Sequence, residues 1–507
     1  MSKSIFKLKY LLFSFIVVIF FFFCVEIGLR ILDAGFHILA KSTDQEKIIK
    51  ENKLWQNELF SRFSGVQERN PLLLWKFRPN VHKSIFQTNS EGLLGPEISI
   101  SKPANTYRIL LLGDSAPVGL GLHKRDEAFG EQLVNILSQR KPDRHFELIN
   151  AAVSGYTSLQ GLTYLKNYGL RYSPNLILVY FGNNDASKNG YISDKELIDR
   201  NPHLVGVLGI LNRLATYRFL KEIFLPIKSS FESKLLRQKK KEVVVRVSPE
   251  DYYQNIEEMI KLAKANNIKI ILVNVPVSVE WPAGLQFKVF ANLRTEKGEL
   301  VMADETQKIL KNKFSYCIDW AHFSKVYDKI DSYSLTVFKS AYEDQGNADS
   351  SKAFYERGLI SQPENPLYLN NLGVLYWREG NYSVAENFFK KVIATDSLYP
   401  LFHYNLGVTL KNIGKPMESE KELEKAKELD FQSLRIKNTY KEKLKQLSQK
   451  YDVPLVDAVS AFNQRGNESL FIDHCHPTKE GHRIIAEEIY KTVFLWSALT
   501  LTIQMQW

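Results

Sequence analysis

The chain has 507 residues, 44% hydrophobic and 24% charged, which excludes wholesale disorder and is too long for one ordinary domain. A formal charge of +11 permits anionic partners, but no nucleic-acid motif accompanies it, so nucleic acid is not an expected partner. The three cysteines, Cys24, Cys317 and Cys475, have no metal-ligand spacing and encode no disulfide framework; pairing of Cys317 with Cys475 stays open.

Lys3, Lys7 and Lys9 precede an apolar run from Tyr10 to Val25, which Ile27 to Leu29 extend past Glu26 until Arg30. That length just spans a bilayer. Phe20 to Phe23 lead into Cys24 where a signal-peptide or lipoprotein cleavage site would have small residues. Residues 1–34 are therefore expected to form an uncleaved signal anchor, a single transmembrane helix. The lysines orient it N-in, which places the remainder outside the cytoplasm, in the periplasm of a Gram-negative cell. Residues 35–106 read as a membrane-proximal extension, with turn signals at Asn70-Pro71, Arg78-Pro79-Asn80 and Gly95-Pro96.

From residue 107 the pattern changes. Arg108 to Leu112, Phe146 to Asn150, Asn175 to Phe181 and Ile268 to Val275 are short apolar runs separated by helix-length segments, which predicts buried parallel strands covered by helices on both faces. Ser248 as N-cap and Pro249 at the first helical position mark the start of the helix before the fourth strand. Residues 107–331 thus form the first part of an α/β domain. It contains a lid-like insertion, 188–247, whose basic run from Lys234 to Arg246 reads as a solvated face.

Asn371-Leu-Gly373 recurs as Asn405-Leu-Gly407, and Gly346, Gly380 and Gly414 keep the same spacing. Tyr376, Ala385, Phe389 and Asp396 fill the matching positions of the second unit; Phe354, Tyr355 and Pro363 do so in the first, where Lys339 replaces the small glycine. The period is that of the tetratricopeptide repeat, and three repeats are expected over 332–433. They leave a protein partner open. A basic helix from Leu434 to Tyr451, a short strand at Val453 to Asp457 and a final helix from Lys479 then return the chain to the sheet, so 434–497 complete the α/β domain. The last stretch, Val493 to Trp507, is apolar but too short to span a bilayer.

Ester cleavage at neutral pH needs a nucleophile, a base, a group that orients the base, and donors for the oxyanion. Gly113-Asp114-Ser115 ends the first strand and presents the Ser115 hydroxyl at the carboxyl edge of the sheet, though the same residues also make a good turn and cap. Asp473 and His476 lie three apart in one loop, a spacing that lets a carboxylate fix an imidazole tautomer; His474 and His482 compete for the base role, and a histidine-rich metal loop is the bland alternative. Gly155 after the second strand and Asn184 within Gly182-Asn183-Asn184-Asp185 after the third can donate to an oxyanion, while each alone is an ordinary turn.

Taken together, Gly113-Asp114-Ser115, Gly155, Gly182-Asn183-Asn184-Asp185 and Asp473-His474-Cys475-His476-Pro477 resemble the SGNH (GDSL) hydrolase family. The resemblance covers about 107–330 and 434–495, interrupted by the repeats; Pro117 and Val118 depart from the small polar residues common after the nucleophile. It implies a flavodoxin-like three-layer α/β/α fold with a parallel sheet. It also implies Ser115 as nucleophile, Asp473 and His476 as its partners, Ser115, Gly155 and Asn184 as oxyanion donors, and no metal or cofactor. The implied activity is an esterase or acyl hydrolase, and the expected location outside the membrane, beside a repeat module, suits acyl groups of envelope glycans or lipids. An O-acyltransferase with the same triad, or a repeat-based scaffold with a vestigial hydrolase domain, are the alternatives.

Overall fold

The computed structural model describes residues 25–28, 66–70, 72–83, 85–187, 193–199, 244–281, 348–430 and 434–504. Nearly all of the expected signal anchor, most of the insertion 188–247, Cys317 and the first helix of the first expected repeat lie outside them. No helix among the described residues is long and apolar enough to cross a membrane.

The described residues fall into two compact units, the first holding those up to Lys76 and residues 196–199, the second the remainder. In the first, the strand Gln67–Asn70 ends where Asn70 Oδ1 accepts the amides of Leu72 and Leu73, an Asx-type turn. Everything below concerns the second.

Its core is a parallel sheet. Strand β1 (Thr106–Gly113) is followed by α1 (Phe129–Arg140), β2 (His145–Asn150), α2 (Ser158–Tyr164), β3 (Leu176–Tyr180), α3 (Pro249–Ala265) and β4 (Lys269–Val273). The five helices α4 (Ala348–Ser361), α5 (Pro366–Arg378), α6 (Tyr382–Thr395), α7 (Pro400–Asn412) and α8 (Pro416–Leu429) come next. The chain returns through α9 (Asn438–Tyr451), β5 (Leu455–Val456), α10 (Ala458–Asn463) and α11 (Lys479–Gln504).

The strand order is β2-β1-β3-β4-β5, every pairing parallel. This is the flavodoxin-like order, whose direction reverses between β1 and β3. With right-handed crossovers, the step from β1 to β2 and the steps from β2 onward place their helices on opposite faces. The packing agrees: α1 lies against α11, and α3 lies against α2 and α9. Buried on both sides, β1 and β3 have no reason to alternate, and Ile109 to Leu112 and Leu176 to Tyr180 are accordingly all buried.

Residues upstream of the sheet join it earlier than the expected boundary at 107. The Leu94 amide donates to Asn150 O at 3.2 Å. The fully buried Arg108 guanidinium pairs with Glu147 at 2.7 Å and donates to the carbonyls of Ser99, Ile100 and Tyr172.

In the helical array, α5 packs on α6 and α7 on α8, joined by short turns. A Cβ at Gly373 would sit 2.7 Å from the Phe389 ring, and one at Gly407 2.7 Å from Leu423, so both glycines are where paired helices touch. Val374, Ala385, Phe389, Leu406 and Leu410 form the buried cluster between the two helix pairs. Five helices over 348–429 correspond to the second half of the first expected repeat and both halves of the next two.

Candidate active site

Three loops at the carboxyl ends of β1, β2 and β3 meet the loop before α11 at the reversal point of the sheet, the crevice where ligands bind in such folds. After β1, Asp114 caps the four-residue helix Ser115–Val118 by accepting the Ala116 amide at 3.0 Å, which leaves Ser115 half-buried at the tip of the turn. Burial pushes the Asp114 carboxyl up to about 7, since its other oxygen has no partner among the described residues.

The loop 471–478 is closed by its own backbone, with Ile472 donating to His476 O at 2.8 Å and Thr478 to Leu470 O at 2.8 Å. Inside it, Asp473 Oδ1 accepts the amides of Cys475 and His476, both at 2.9 Å. His476 Nδ1 lies 2.7 Å from Asp473 Oδ2, and His476 Nε2 lies 2.7 Å from Ser115 Oγ. A carboxylate only accepts, so Nδ1 carries the proton and Nε2 presents its lone pair to the Ser115 hydroxyl.

Burial alone would raise the Asp473 carboxyl, but the His476 and His474 rings and the donated hydrogen bonds hold it well below the usual carboxylate range. For His476 burial favours the neutral ring, yet Asp473 outweighs it and raises the imidazole above its ordinary 6.5. The hydrogen-bonded chain Asp473, His476, Ser115 thus pairs a committed anion with a base of strengthened basicity.

The other two candidate histidines have different neighbours, although His474 Nδ1 also lies 3.5 Å from Asp473 Oδ1. His474 packs at a tilt against Trp281, with ring centroids 5.9 Å apart, and accepts the Ser278 amide on its backbone carbonyl; burial lowers its ring to about 4. His482 Nδ1 accepts the Phe129 amide at 3.2 Å at the start of α1, and burial lowers it to about 3. Asp473, His474 and Cys475 offer potential ligand atoms within 4.8 Å of one another, but Asp473 is already spent on His476 and two amides. Cys475 is a buried free thiol.

Gly155 has φ +85, a left-handed conformation that favours glycine, and its amide and that of Ser115 donate to nothing among the described residues. Asn184 Nδ2 donates one proton to Tyr156 O at 3.1 Å, which fixes the amide plane and leaves its second proton unspent. The neighbouring Asp185 Oδ1 accepts from the amide and hydroxyl of Ser158 at 2.9 and 2.5 Å, tying the loop after β3 to α2.

Several residues around the site carried no sequence signal as such. Arg246, read within a solvated basic run, is 7% exposed and ion-paired with Asp194 at 2.7 Å. The solvated-face reading of Arg246 is overturned by tertiary burial that local composition does not report, although Val243, Val244, Val245 and Val247 around Arg246 mark a shift to apolar sequence. Arg435 is fully buried. It pairs with Asp430 at 3.2 Å and donates to the carbonyls of Ser278 and Trp281, while Ile436 N donates to Asn183 Oδ1 at 2.9 Å.

The GDSL-like Lipase/Acylhydrolase family matches residues 111–296, which contain Ser115, Gly155 and Asn184. A second GDSL-like Lipase/Acylhydrolase family matches residues 387–489, which contain Asp473 and His476. The Tetratricopeptide repeat family matches residues 367–397, the helices α5 and α6. Among curated proteins none matches the chain. Similar solved structures include LAE5, an alpha/beta hydrolase from the metagenome of Lake Arreo, Spain, at 11% identity and TM-score 0.31, covering 76% of this chain and 94% of that one. The lipase/acylhydrolase of Enterococcus faecalis is similar at 14% identity and TM-score 0.29, with coverage of 76% and 94%. Axe2, an acetylxylan esterase from Geobacillus stearothermophilus, follows at 11%, 0.30, 76% and 94%. The family matches on both sides of the site make this chain an SGNH (GDSL)-type hydrolase, an acyl hydrolase that carries a tetratricopeptide repeat.

Proposed function

We propose that the chain is a membrane-anchored serine esterase that removes ester-linked acyl groups from cell-envelope glycans or lipids through an acyl-enzyme on Ser115. The observation that carries the reading is the chain of contacts from Asp473 through His476 to Ser115, with both links at 2.7 Å. As Ser115 Oγ attacks the ester carbonyl, its proton passes to His476 Nε2, and Asp473 stabilises the imidazolium that results. The amides of Ser115 and Gly155 and the spare proton of Asn184 Nδ2 receive the oxyanion. His476 then returns the proton to the departing alcohol oxygen, and a water activated by the same ring releases the acid.

The envelope assignment rests on the N-terminal sequence, where an apolar run behind three lysines suits an N-in anchor and an external catalytic domain. Labelling with a fluorophosphonate tests the nucleophile: the wild-type chain is expected to label and Ser115→Ala to remain unlabelled. Equal labelling of the two removes Ser115 from the reaction. Protease protection of spheroplasts tests the placement, with a digested catalytic domain expected and a protected one counting against it.

A further inference from the structure

Two of the three proposed oxyanion donors sit on loops that do not carry the nucleophile, and one residue spans both, by its backbone on one side and its side chain on the other. The backbone of Arg246 pairs with the loop after β3: its amide donates to Ser187 O at 2.9 Å, and the next amide, Val247, donates to Asp185 O at 3.2 Å. Its guanidinium reaches the loop after β2, where Nη1 donates to Gly155 O at 2.8 Å. The opposite edge is held by Asp194, with Nε at 3.1 Å from Oδ1 and Nη2 at 2.7 Å from Oδ2. Asp194 also accepts Thr157 Oγ1 at 3.2 Å, and Gln160 Oε1, which accepts the Thr157 amide at 2.9 Å, faces Arg246 Nη2 at 3.5 Å.

The planar guanidinium, fixed along one edge by a carboxylate, therefore sets where the Gly155 carbonyl lies, and the segment from Gly155 to Gln160 is gripped at three points. That segment contains Tyr156, whose carbonyl orients Asn184. We infer that Arg246, locked by Asp194, is a positioning residue that sets the geometry of both the Gly155 amide and the Asn184 side chain as oxyanion donors; this rests on the oxyanion reading given above. The pair lies 52 residues apart in the chain, and both members are buried. A buried ion pair is a weak source of stability, because desolvation offsets its attraction, so what this one contributes is register between two loops. Lysine cannot replace it, since an ammonium lacks the second edge needed to hold Asp194 and Gly155 together.

The test is a double-mutant cycle in the full chain, with p-nitrophenyl acetate as probe. Arg246→Lys is expected to lower kcat roughly ten- to hundredfold with KM within about twofold, as misplaced transition-state donors do. In an Asn184→Ala background the same substitution is expected to cost only about threefold, because one of the two donors it positions is already gone. Wild-type kcat in Arg246→Lys overturns the inference. So does an undiminished loss in the Asn184→Ala background, which is the result a merely structural role gives. If Asn184→Ala itself keeps wild-type kcat, the oxyanion reading falls and the inference with it, an outcome separate from the other two. Should Arg246→Lys not fold, Asp194→Asn carries the test: a kcat loss at constant KM supports the inference, and unchanged kcat overturns it.

Discussion

Within the helical array, buried amides find one another: Asn405 Nδ2 donates to Asn370 Oδ1 at 2.8 Å, Asn370 Nδ2 meets Asn371 Oδ1 at 3.2 Å, and Asn371 Nδ2 donates to Tyr355 Oη at 3.1 Å. At the carboxyl edge of the sheet the amides of Ser115 and Gly155 are unspent, Asp114 keeps a buried oxygen without a partner among the described residues, and Gly155 holds a left-handed φ. The buried Asp114 oxygen costs folding energy, on the order of 1–3 kcal/mol for an unsatisfied buried polar atom. Among the described residues the array leaves one buried side-chain atom without a partner, Trp377 Nε1, while the loops at the sheet edge leave Asn183 Nδ2 and Asp185 Oδ2 as well as Asp114 Oδ2, so the array shows mainly what packing asks of a sequence and the sheet edge what chemistry asks.

The largest effect expected from breaking this division is at Asp473. Asp473→Asn keeps the shape of the loop but no longer fixes the tautomer of His476, and kcat on an activated ester should fall about 10⁴-fold. The pH profile should change with it. His476 must be neutral to act as base, and Asp473 raises its pKa, so kcat/KM in the wild-type chain is lost as pH falls through a value above 6.5. Without the carboxylate that acid limb should move to lower pH. A limb that stays in place means another group controls the base.

Phe389→Ala tests the array side. Its ring is fully buried in the cluster with Val374, Leu406 and Leu410 and fills the space left by Gly373, so truncation should cost about 3–5 kcal/mol. The array ends at Asp430, which holds Arg435, and the next residue, Ile436, donates to Asn183 beside the oxyanion loop. Residual esterase activity and helicity should therefore be lost in one shifted thermal transition. Activity that outlasts the helicity would show that the two regions are separate after all.

Asn184→Ala is expected to lower kcat about 10²- to 10³-fold, the usual cost of one oxyanion donor, while leaving urea stability within about 1 kcal/mol. Here the comparison is sharpened, because among the described residues Asn184 has a single side-chain bond to the fold, to Tyr156 O. A large stability loss with small kinetic loss would make it an ordinary turn residue.

How much of this the amino-acid sequence announces depends on whether a property is local. Strands β1 to β4 are legible because a parallel strand buried on both faces must be a continuous apolar run, and the repeats because their period repeats the same contacts. Ser115, Gly155, Asn184, Asp473 and His476 stand out as candidates only through their four motifs taken together, since each alone also reads as an ordinary turn or cap. Arg246 with Asp194, and Arg435 with Asp430 and Ser278, are not. Arg246 lies in a stretch whose charge invites a surface reading, and its partner is 52 residues away, a separation that no periodicity encodes. The competition among His474, His476 and His482 is likewise resolved only in three dimensions, where one ring reaches Ser115 and the others meet Trp281 and Phe129.

The smallest effect is the most discriminating about where the site ends. Ser248 caps α3 by accepting the Asp251 amide at 3.0 Å and donating to its carboxylate at 2.8 Å, so Ser248→Ala should cost about 1 kcal/mol in urea denaturation. One turn further on, the same helix carries Asn255, which donates to Ser158 Oγ at 3.0 Å, and Ser158 holds Asp185. If helices serve as rigid supports and the loops alone set the chemistry, the local fraying at residue 248 should not travel that path, and kcat should stay within about twofold. A larger loss of kcat at unchanged KM would mean that the end of α3 tunes the oxyanion loop, and the line between packing and chemistry would have to be drawn through the helix layer rather than at the sheet edge.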